Sequence, residues 1–260
     1  KDIENYLDKK VHEQNNRPVA DFQGYSPDAM HHILYSTFGK DSPLTLQRLS
    51  DSDYKKIPIL NQIKYVTGLI EKEGELKLTK TGNLRTKVVA DIYEQGYLKD
   101  YDIETGISKL YKETDSNSIH LTKILLDISS LTKKRHGKLS LTKSNKAILN
   151  DDYETLKLIF ETFASKFNWA YFDGYGQNDI GQLGYGFTLI LLSKYGHEKR
   201  LDSFYAEKYF DAYPHLLDSV ESTFGTVEDN AARCYSIRTF DRFLDYFGLI
   251  DIDEKKAGPD

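Results

Sequence analysis

The sequence predicts a mainly α protein with small β hairpins, and two observations lead to that fold class. Apolar residues recur at helical spacing through most of the 260-residue chain, and glycine or proline marks the ends of these segments. Two short runs of the form Leu-x-Leu-Thr-Lys, at 76–80 and 139–143, each follow a helical pattern and a turn signal. We therefore expect a helix–hairpin unit that occurs twice, with an offset of about 63 residues.

The first copy is predicted to contain a helix, a hairpin and a second helix. Its first helix starts at Pro58, a favoured first-turn residue, and Gly68 is placed where a helix-ending glycine belongs. Strand-like runs at 69–71 and 76–79 flank an acidic tip that contains three glutamates, and they predict a hairpin. A further helix is expected from residue 85 to 95, where it ends before a glycine.

The second copy repeats this order, and a third copy is cut short by the end of the chain. A helical stripe covers 119–128, and a hairpin at 131–142 turns at Arg135-His136-Gly137. Aromatic helices follow, and the helix at 237–247 precedes a predicted strand at 249–252. We expect two domains, residues 1–110 with the first copy and residues 111–260 with the second copy and the partial third.

Composition limits the functions that the chain can have. The formal net charge of −5 counts against nucleic-acid binding by bulk charge, although residues 128–150 hold six Lys or Arg and no acid. The single cysteine, Cys234, cannot form an internal disulfide, which favours a reducing, cytoplasmic location. No apolar run is long enough to cross a bilayer, so no membrane partner is expected. The chain opens at Lys1 without an apolar leader, and we expect it to be trimmed from a longer protein.

The repeated unit resembles the winged-helix modules of bacterial regulators. The resemblance lies in a helix, the run Gly68-Leu69-Ile70, a charged tip and the return strand Leu76–Thr79. The second copy keeps Leu-Ser-Leu-Thr-Lys at 139–143, and the third keeps only Phe-Gly-Leu-Ile at 247–250. The chain is also loosely similar to bacterial proteins with a Gly-Asn-Leu segment after the wing, as at 82–84, and this similarity implies no particular activity.

The winged-helix resemblance implies tandem modules, each with a groove-facing helix and a phosphate-contacting wing. In the second module the helix offers His120, Thr122 and Lys123. The glutamates of the first tip would repel a phosphate, so the second hairpin is the better candidate. The candidate nucleic-acid-binding residues on and beside it are Lys133, Lys134, Arg135, Lys138, Lys143 and Lys146.

Three other patterns are weaker candidates for a site. The glycine-rich loop 169–186 lacks a P-loop ending, but Trp169, Tyr171, Tyr175 and Tyr185 around it could line a small-molecule pocket. Asp28, His31 and His32 have helical spacing, yet no further ligands lie near them in sequence, so no metal site is predicted. The last helix carries Arg233, Arg238 and Arg242, for which we expect pairing with surface acids.

These observations favour a non-enzymatic recognition or scaffold protein that binds another protein or duplex DNA through winged-helix-like modules. No cofactor is predicted. The alternative is a small-molecule-binding protein or enzyme centred on loop 169–186, and it requires an enclosed pocket with convergent acids or histidines there.

Overall fold

The computed structural model describes residues 2–221 and 225–253 and confirms the mainly α fold class. In these residues the α-helices are α1 (Asp2–Asn15), α2 (Pro27–Tyr35), α3 (Asp51–Tyr54), α4 (Pro58–Glu73), α5 (Thr86–Glu94), α6 (Tyr101–Glu104), α7 (Asn117–Ile128), α8 (Asp152–Ser165), α9 (Tyr185–Tyr195), α10 (Asp202–Ala212) and α11 (Val227–Ser236). The strands are β1 (Leu76–Lys77), β2 (Thr132–Arg135) and β3 (Lys138–Leu141). A π-helical segment, Ile237–Leu244, follows α11.

The chain divides into two units by its internal contacts. Unit 1 is built from Lys1–Gln47 and Trp169–Asp241, and unit 2 from Arg48–Asn168 and Arg242–Asp260. The domain boundary that we predicted after residue 110 falls inside unit 2. All three strands also belong to unit 2, so the two helix–hairpin copies form parts of one unit.

The two copies share a single three-stranded antiparallel sheet in the order β1-β3-β2. Leu76 pairs with Leu139 and Lys77 with Lys138, and the Leu78 N–H donates to the Gly137 carbonyl over 2.8 Å. Leu76 and Leu139 occupy equivalent positions in the two Leu-x-Leu-Thr-Lys runs, 63 residues apart. The repeated strands therefore pair with each other about a local two-fold relation at these leucines.

The predicted first hairpin is wrong, because residues 69–71 belong to α4. The helix passes through Gly68 and buries Ile70 on the same face as Ile63 and Val66. It ends at Glu73 and is followed by Gly74, whose φ of +78° is accessible to glycine at little cost. Strand β1 takes its hydrogen-bond partner from β3, so the first copy has no wing of its own.

The second hairpin is confirmed, with β2 and β3 joined by the turn at His136 and Gly137. The predicted strand at 249–252 does not form, and Leu249 and Ile252 remain exposed. Gly248, with φ +62°, turns the chain close to the Lys56 carbonyl and Pro58. The residues before Gly248 contribute to the core of unit 2. Phe243 packs tilted and Phe247 packs edge-on against Phe160 of α8.

In unit 1, glycine allows two helices to approach closely. Ser26 Oγ accepts from the Ala29 N–H over 3.2 Å and caps α2, as its sequence predicts. A Cβ at Gly186 of α9 would lie 2.9 Å from the Ile33 carbonyl oxygen of α2 and 2.7 Å from Thr37 Cγ2. Gly186 therefore allows α9 to pack closely against α2.

Shortening Leu139 to Ala tests the shared sheet. Leu139 is buried at the centre of the β1–β3 pairing, so we expect a loss of about 2–5 kcal/mol in the free energy of unfolding. Urea denaturation followed by circular dichroism measures this loss. The same change at the exposed Leu49 of unit 2 is the control, and equal effects at both positions would contradict the shared core.

Candidate nucleic-acid interface

One face of the sheet carries a row of cations, which we call the basic face: Lys77, Lys133, Arg135 and Lys138. Side chains of directly paired residues lie on the same side of a sheet, and the side alternates along each strand. Lys77 on β1, Lys138 on β3 and Arg135 on β2 are paired across the three strands. Lys133 lies two residues from Arg135 and therefore on the same face, opposite Ser140.

The opposite face of the sheet is turned to the core of unit 2. It carries Leu76 and Leu139, both buried, and the edge residue Lys134. The ammonium of Lys134 reaches over Gly82 and occupies the space that a Cβ there would need. Gly82, with φ +84°, belongs to the Gly-Asn-Leu segment, so this segment provides the backbone surface beneath the Lys134 side chain.

The six predicted phosphate-binding residues divide into paired and unpaired cations. Lys138 forms an ion pair with Glu75, and Lys146 Nζ lies 2.6 Å from Glu71 Oε1. In the described part of the chain, the predicted residues that form no ion pair are Lys133, Lys134, Arg135 and Lys143. The paired acids come from the end of α4 and the turn after it, so the acidic tip of the first copy lies beside the basic hairpin of the second.

Two of the predicted residues, Lys143 and Lys146, lie in and directly after the turn that follows β3. Lys143 begins the 3₁₀ turn Lys143–Asn145, and Lys146 follows it. The side-chain amide of Asn145 donates to the Ser130 carbonyl over 2.9 Å, which holds this turn at the start of β2. Lys143 therefore lies at the base of the hairpin, whereas Arg135 and Lys138 lie next to its tip.

Helix α7 does not offer the polar face that we predicted for contact with bases. Thr122 is buried and its hydroxyl accepts from Gln62 Nε2 over 2.7 Å. His120 and Lys123 turn toward a carboxylate inside the unit. The helix packs against α4, α5 and α8, so the prediction that it enters a major groove is wrong for these three residues.

That carboxylate belongs to Glu113, which is fully buried and bound by three donors. Its Oε1 lies 2.7 Å from His120 Nδ1 and 2.9 Å from Lys123 Nζ, and its Oε2 accepts from the Leu84 N–H over 2.5 Å. Burial alone would raise the pKa of Glu113, but hydrogen bonds from His120, Leu84 and Lys123 outweigh it and lower the pKa. Glu113 thus ties the Gly-Asn-Leu segment to α7.

Replacing Glu113 with Gln should destabilise unit 2 by about 3–5 kcal/mol at pH 7, because it leaves the largely buried ammonium of Lys123 without its counter-charge. A lowered pKa means that the carboxylate stabilises the fold above its ordinary pKa of 4.5, and that this contribution is lost as the pH falls. The difference between parent and variant should therefore shrink from pH 7 to pH 3 in urea denaturation. A difference that does not change with pH would contradict this role, and Glu73→Gln, at an exposed site, is the control.

The glycine-rich loop of unit 1 is organised around a buried arginine. Arg238 Nε lies 2.6 Å from Asp173 Oδ2 and its Nη2 3.1 Å from Asp173 Oδ1, a bidentate pair in which both side chains are buried. The remaining guanidinium hydrogens go to the loop, including Asn178 Oδ1 at 2.7 Å and the Gly176 carbonyl at 3.0 Å. The prediction of surface pairing for Arg238 is therefore wrong.

The four aromatic residues predicted to line a pocket here do not share one environment. Trp169 is buried, Tyr171 is 57% exposed, and Tyr175 and Tyr185 are half-buried. At Gly184 an added Cβ would lie 2.5 Å from the Tyr213 ring. The glycines of this loop thus allow backbone to lie directly against side chains of unit 1.

Substituting Arg238 with Met should destabilise unit 1 by about 3–5 kcal/mol, because Asp173 is left buried and unpaired. The matched control is Arg233→Met, an exposed position on α11, for which a change within about 0.5 kcal/mol is expected. Arg238→Lys keeps the charge but cannot reproduce the bidentate bond, so it should fall between the two. Thermal unfolding measures all three, and equal stability of the two Met variants would contradict the structural role of Arg238.

The histidine pair of α2 and the aspartate near it form ordinary local contacts. His32 Nε2 lies 3.9 Å from Asp28 Oδ2, while the His31 ring packs on Tyr35. Within residues 2–221 and 225–253 no three His, Cys, Asp or Glu residues are grouped as metal ligands would be. None of the helices described for this chain has the length and apolarity required to span a membrane.

Comparison with known proteins gives one similarity, which lies within unit 2. A family model described as the Y4jL N-terminal domain matches residues 55–154. The matched segment contains β1, β2, β3 and Glu113, and its description names no activity or ligand. No curated protein and no solved structure matches the chain significantly.

Proposed function

We propose that unit 2 is a non-enzymatic recognition module that binds the phosphate backbone of duplex DNA through the basic face. The observation that carries this proposal is the alignment of Lys77, Arg135 and Lys138 across three paired strands, with Lys133 beside them. Cations at strand spacing form a local positive surface on a chain whose net charge is negative. Such a surface suits phosphates, which need charge and hydrogen-bond donors but no base readout.

The proposed mode differs from that of a complete winged helix. The hairpin from β2 to β3 would act as the wing, with the turn at His136 and Gly137 at its tip. Because α7 is packed on several sides, contacts to base edges by that helix are not part of the proposal. Binding should therefore depend on salt and depend little on DNA sequence.

A basic edge strand also has a simpler explanation that must be tested against this one. Lysine on an edge strand prevents pairing with other chains, and β1 and β2 are the two edges of the sheet. That explanation accounts for Lys77 on β1 and for Lys133 and Lys134 on β2, but it does not require a cation on the central strand β3. The extension of the charge onto the central strand, at Lys138, favours phosphate binding.

A second candidate function, protein interaction, is favoured by exposed apolar side chains elsewhere in unit 2. Tyr101, Ile107 and Tyr111 are each more than 60% exposed within a stretch of eleven residues. Clusters of exposed aromatic residues are enriched in protein interfaces. By contrast, the alternative of a small-molecule site in loop 169–186 has less support, because Arg238 uses the polar groups of that loop internally.

Fluorescence anisotropy with a labelled duplex of random sequence tests the DNA proposal. The three cations of the basic face that form no ion pair in the described residues, Lys77, Lys133 and Arg135, predict a slope of roughly −2 to −3 in a plot of log K against log salt, with weak affinity typical of non-specific binding. Changing Lys77, Lys133 and Arg135, the cations of the basic face that form no ion pair in the described chain, to Glu should abolish binding without loss of helicity. The absence of salt-dependent binding by the parent chain at low ionic strength would overturn the proposal.

The control for this triple variant reverses the same number of positive charges, but in unit 1. Lys9, Arg17 and Lys40 are exposed, and changing them to Glu alters the net charge by the same amount. We expect this variant to bind like the parent. Equal losses in both triple variants would indicate an effect of total charge and would contradict binding through the basic face.

A further inference from the structure

Acids pair with one cation of the basic face and with a lysine at the base of the hairpin. Glu75 pairs with Lys138, and Glu71 Oε1 lies 2.6 Å from Lys146 Nζ. Glu75 and Lys138 are separated by 63 positions, the offset of the repeat, so equivalent positions of the two copies carry opposite charges. The pairing of β1 with β3 brings these two positions together.

The backbone around Gly74 places the acids at this location. Helix α4 ends at Glu73 and Gly74 turns the chain with φ +78°, so that Glu75 immediately precedes β1. Glu75 is two residues before Lys77 and therefore points to the basic face, diagonally across from Lys138. Glu71 lies on the last turn of α4, and its partner Lys146 follows the 3₁₀ turn after β3.

These ion pairs are open to exchange with an incoming anion. The side chains of Lys138 and Glu75 are 42% and 44% exposed, and those of Lys146 and Glu71 are 55% and 58% exposed. Exposed pairs hold their partners weakly, since water and salt screen them. A phosphate can therefore replace either carboxylate as the partner of its lysine. Binding is then weakened by the free energy needed to break the ion pair.

We infer that Glu71 and Glu75 are intramolecular competitors that restrain phosphate binding by the basic face. The inference rests on the proposed DNA binding and concerns its regulation. In the free protein the acids of the first copy occupy Lys146 and Lys138, and bound phosphate releases them. Removal of the two negative charges should then strengthen binding, in contrast to the loss expected when basic residues are changed.

The test compares the parent with Glu71→Gln, Glu75→Gln and the double variant in the same anisotropy titration at several salt concentrations. Releasing two exposed ion pairs should tighten binding by the double variant roughly 2- to 30-fold. The salt slope should become steeper by up to about two, because two more lysines become free to displace counterions. Circular dichroism verifies that all three variants keep the fold.

Glu73→Gln is the matched control, since Glu73 belongs to the same acidic segment, is exposed and forms no ion pair in the described chain. We expect it to leave the salt slope unchanged. An equal gain from Glu73→Gln would indicate diffuse repulsion and would overturn the inference.

If the parent chain binds and neither Glu71→Gln nor Glu75→Gln improves this binding, the inference is overturned and the proposed function is left intact. Absence of binding by the parent chain would overturn the proposed function, and the inference that rests on it would be overturned as well.

Discussion

The architecture of unit 2 depends on the antiparallel pairing of Leu76 with Leu139. This pairing joins two sequence copies that a linear analysis separates into two hairpins. It buries both leucines on one side of the sheet and, through the alternation of side chains, directs Lys77 and Lys138 to the other side. The hydrophobic core and the basic face are therefore two consequences of one register. A shift by one residue would exchange them.

Unit 2 also contains a buried polar group that links two of its segments. Glu113 joins the Gly-Asn-Leu segment, through Leu84, to His120 and Lys123 of α7. Polar residues that suggest DNA contacts in the sequence thus satisfy a buried carboxylate. The same residue types serve opposite purposes within the second copy. Lys123 on α7 pairs with a buried carboxylate, whereas Lys133 and Arg135 on the hairpin are exposed to the solvent.

Local signals in the sequence were sufficient for much of the fold. The start of α4 at Pro58 and the second hairpin are determined by neighbouring residues, and both are found as predicted. The predicted strand at 69–71 is wrong because Gly68 does not end the helix. A Cβ added at Gly68 would meet no atom within 4 Å. Glycine at this position therefore lowers the stability of the helix without ending it. The apolar spacing of Ile63, Val66 and Ile70 contained the correct signal.

Features that depend on distant partners could not be predicted in this way. Arg238 lies 65 residues from Asp173, and no local pattern distinguishes a buried arginine from a surface one. The sequence showed an acidic tip and a basic tip, but only strand pairing reveals that Glu75 and Lys138 are neighbours. Four of the candidate basic residues lie on the second hairpin, Lys143 and Lys146 lie in and after the turn that follows it, and their role in binding stays a prediction. Their division into paired and unpaired cations, and the contribution of Lys77, required the fold.

The central claim is that both copies contribute to one phosphate-binding face. Backbone amide NMR of the labelled chain, titrated with an unlabelled duplex at low salt, tests it most directly. The account predicts simultaneous shifts at Lys77 of the first copy and at Lys133, Arg135 and Lys138 of the second, with little change in α7. Shifts confined to the exposed aromatic stretch around Tyr101 and Tyr111, or no shifts at all, would contradict it.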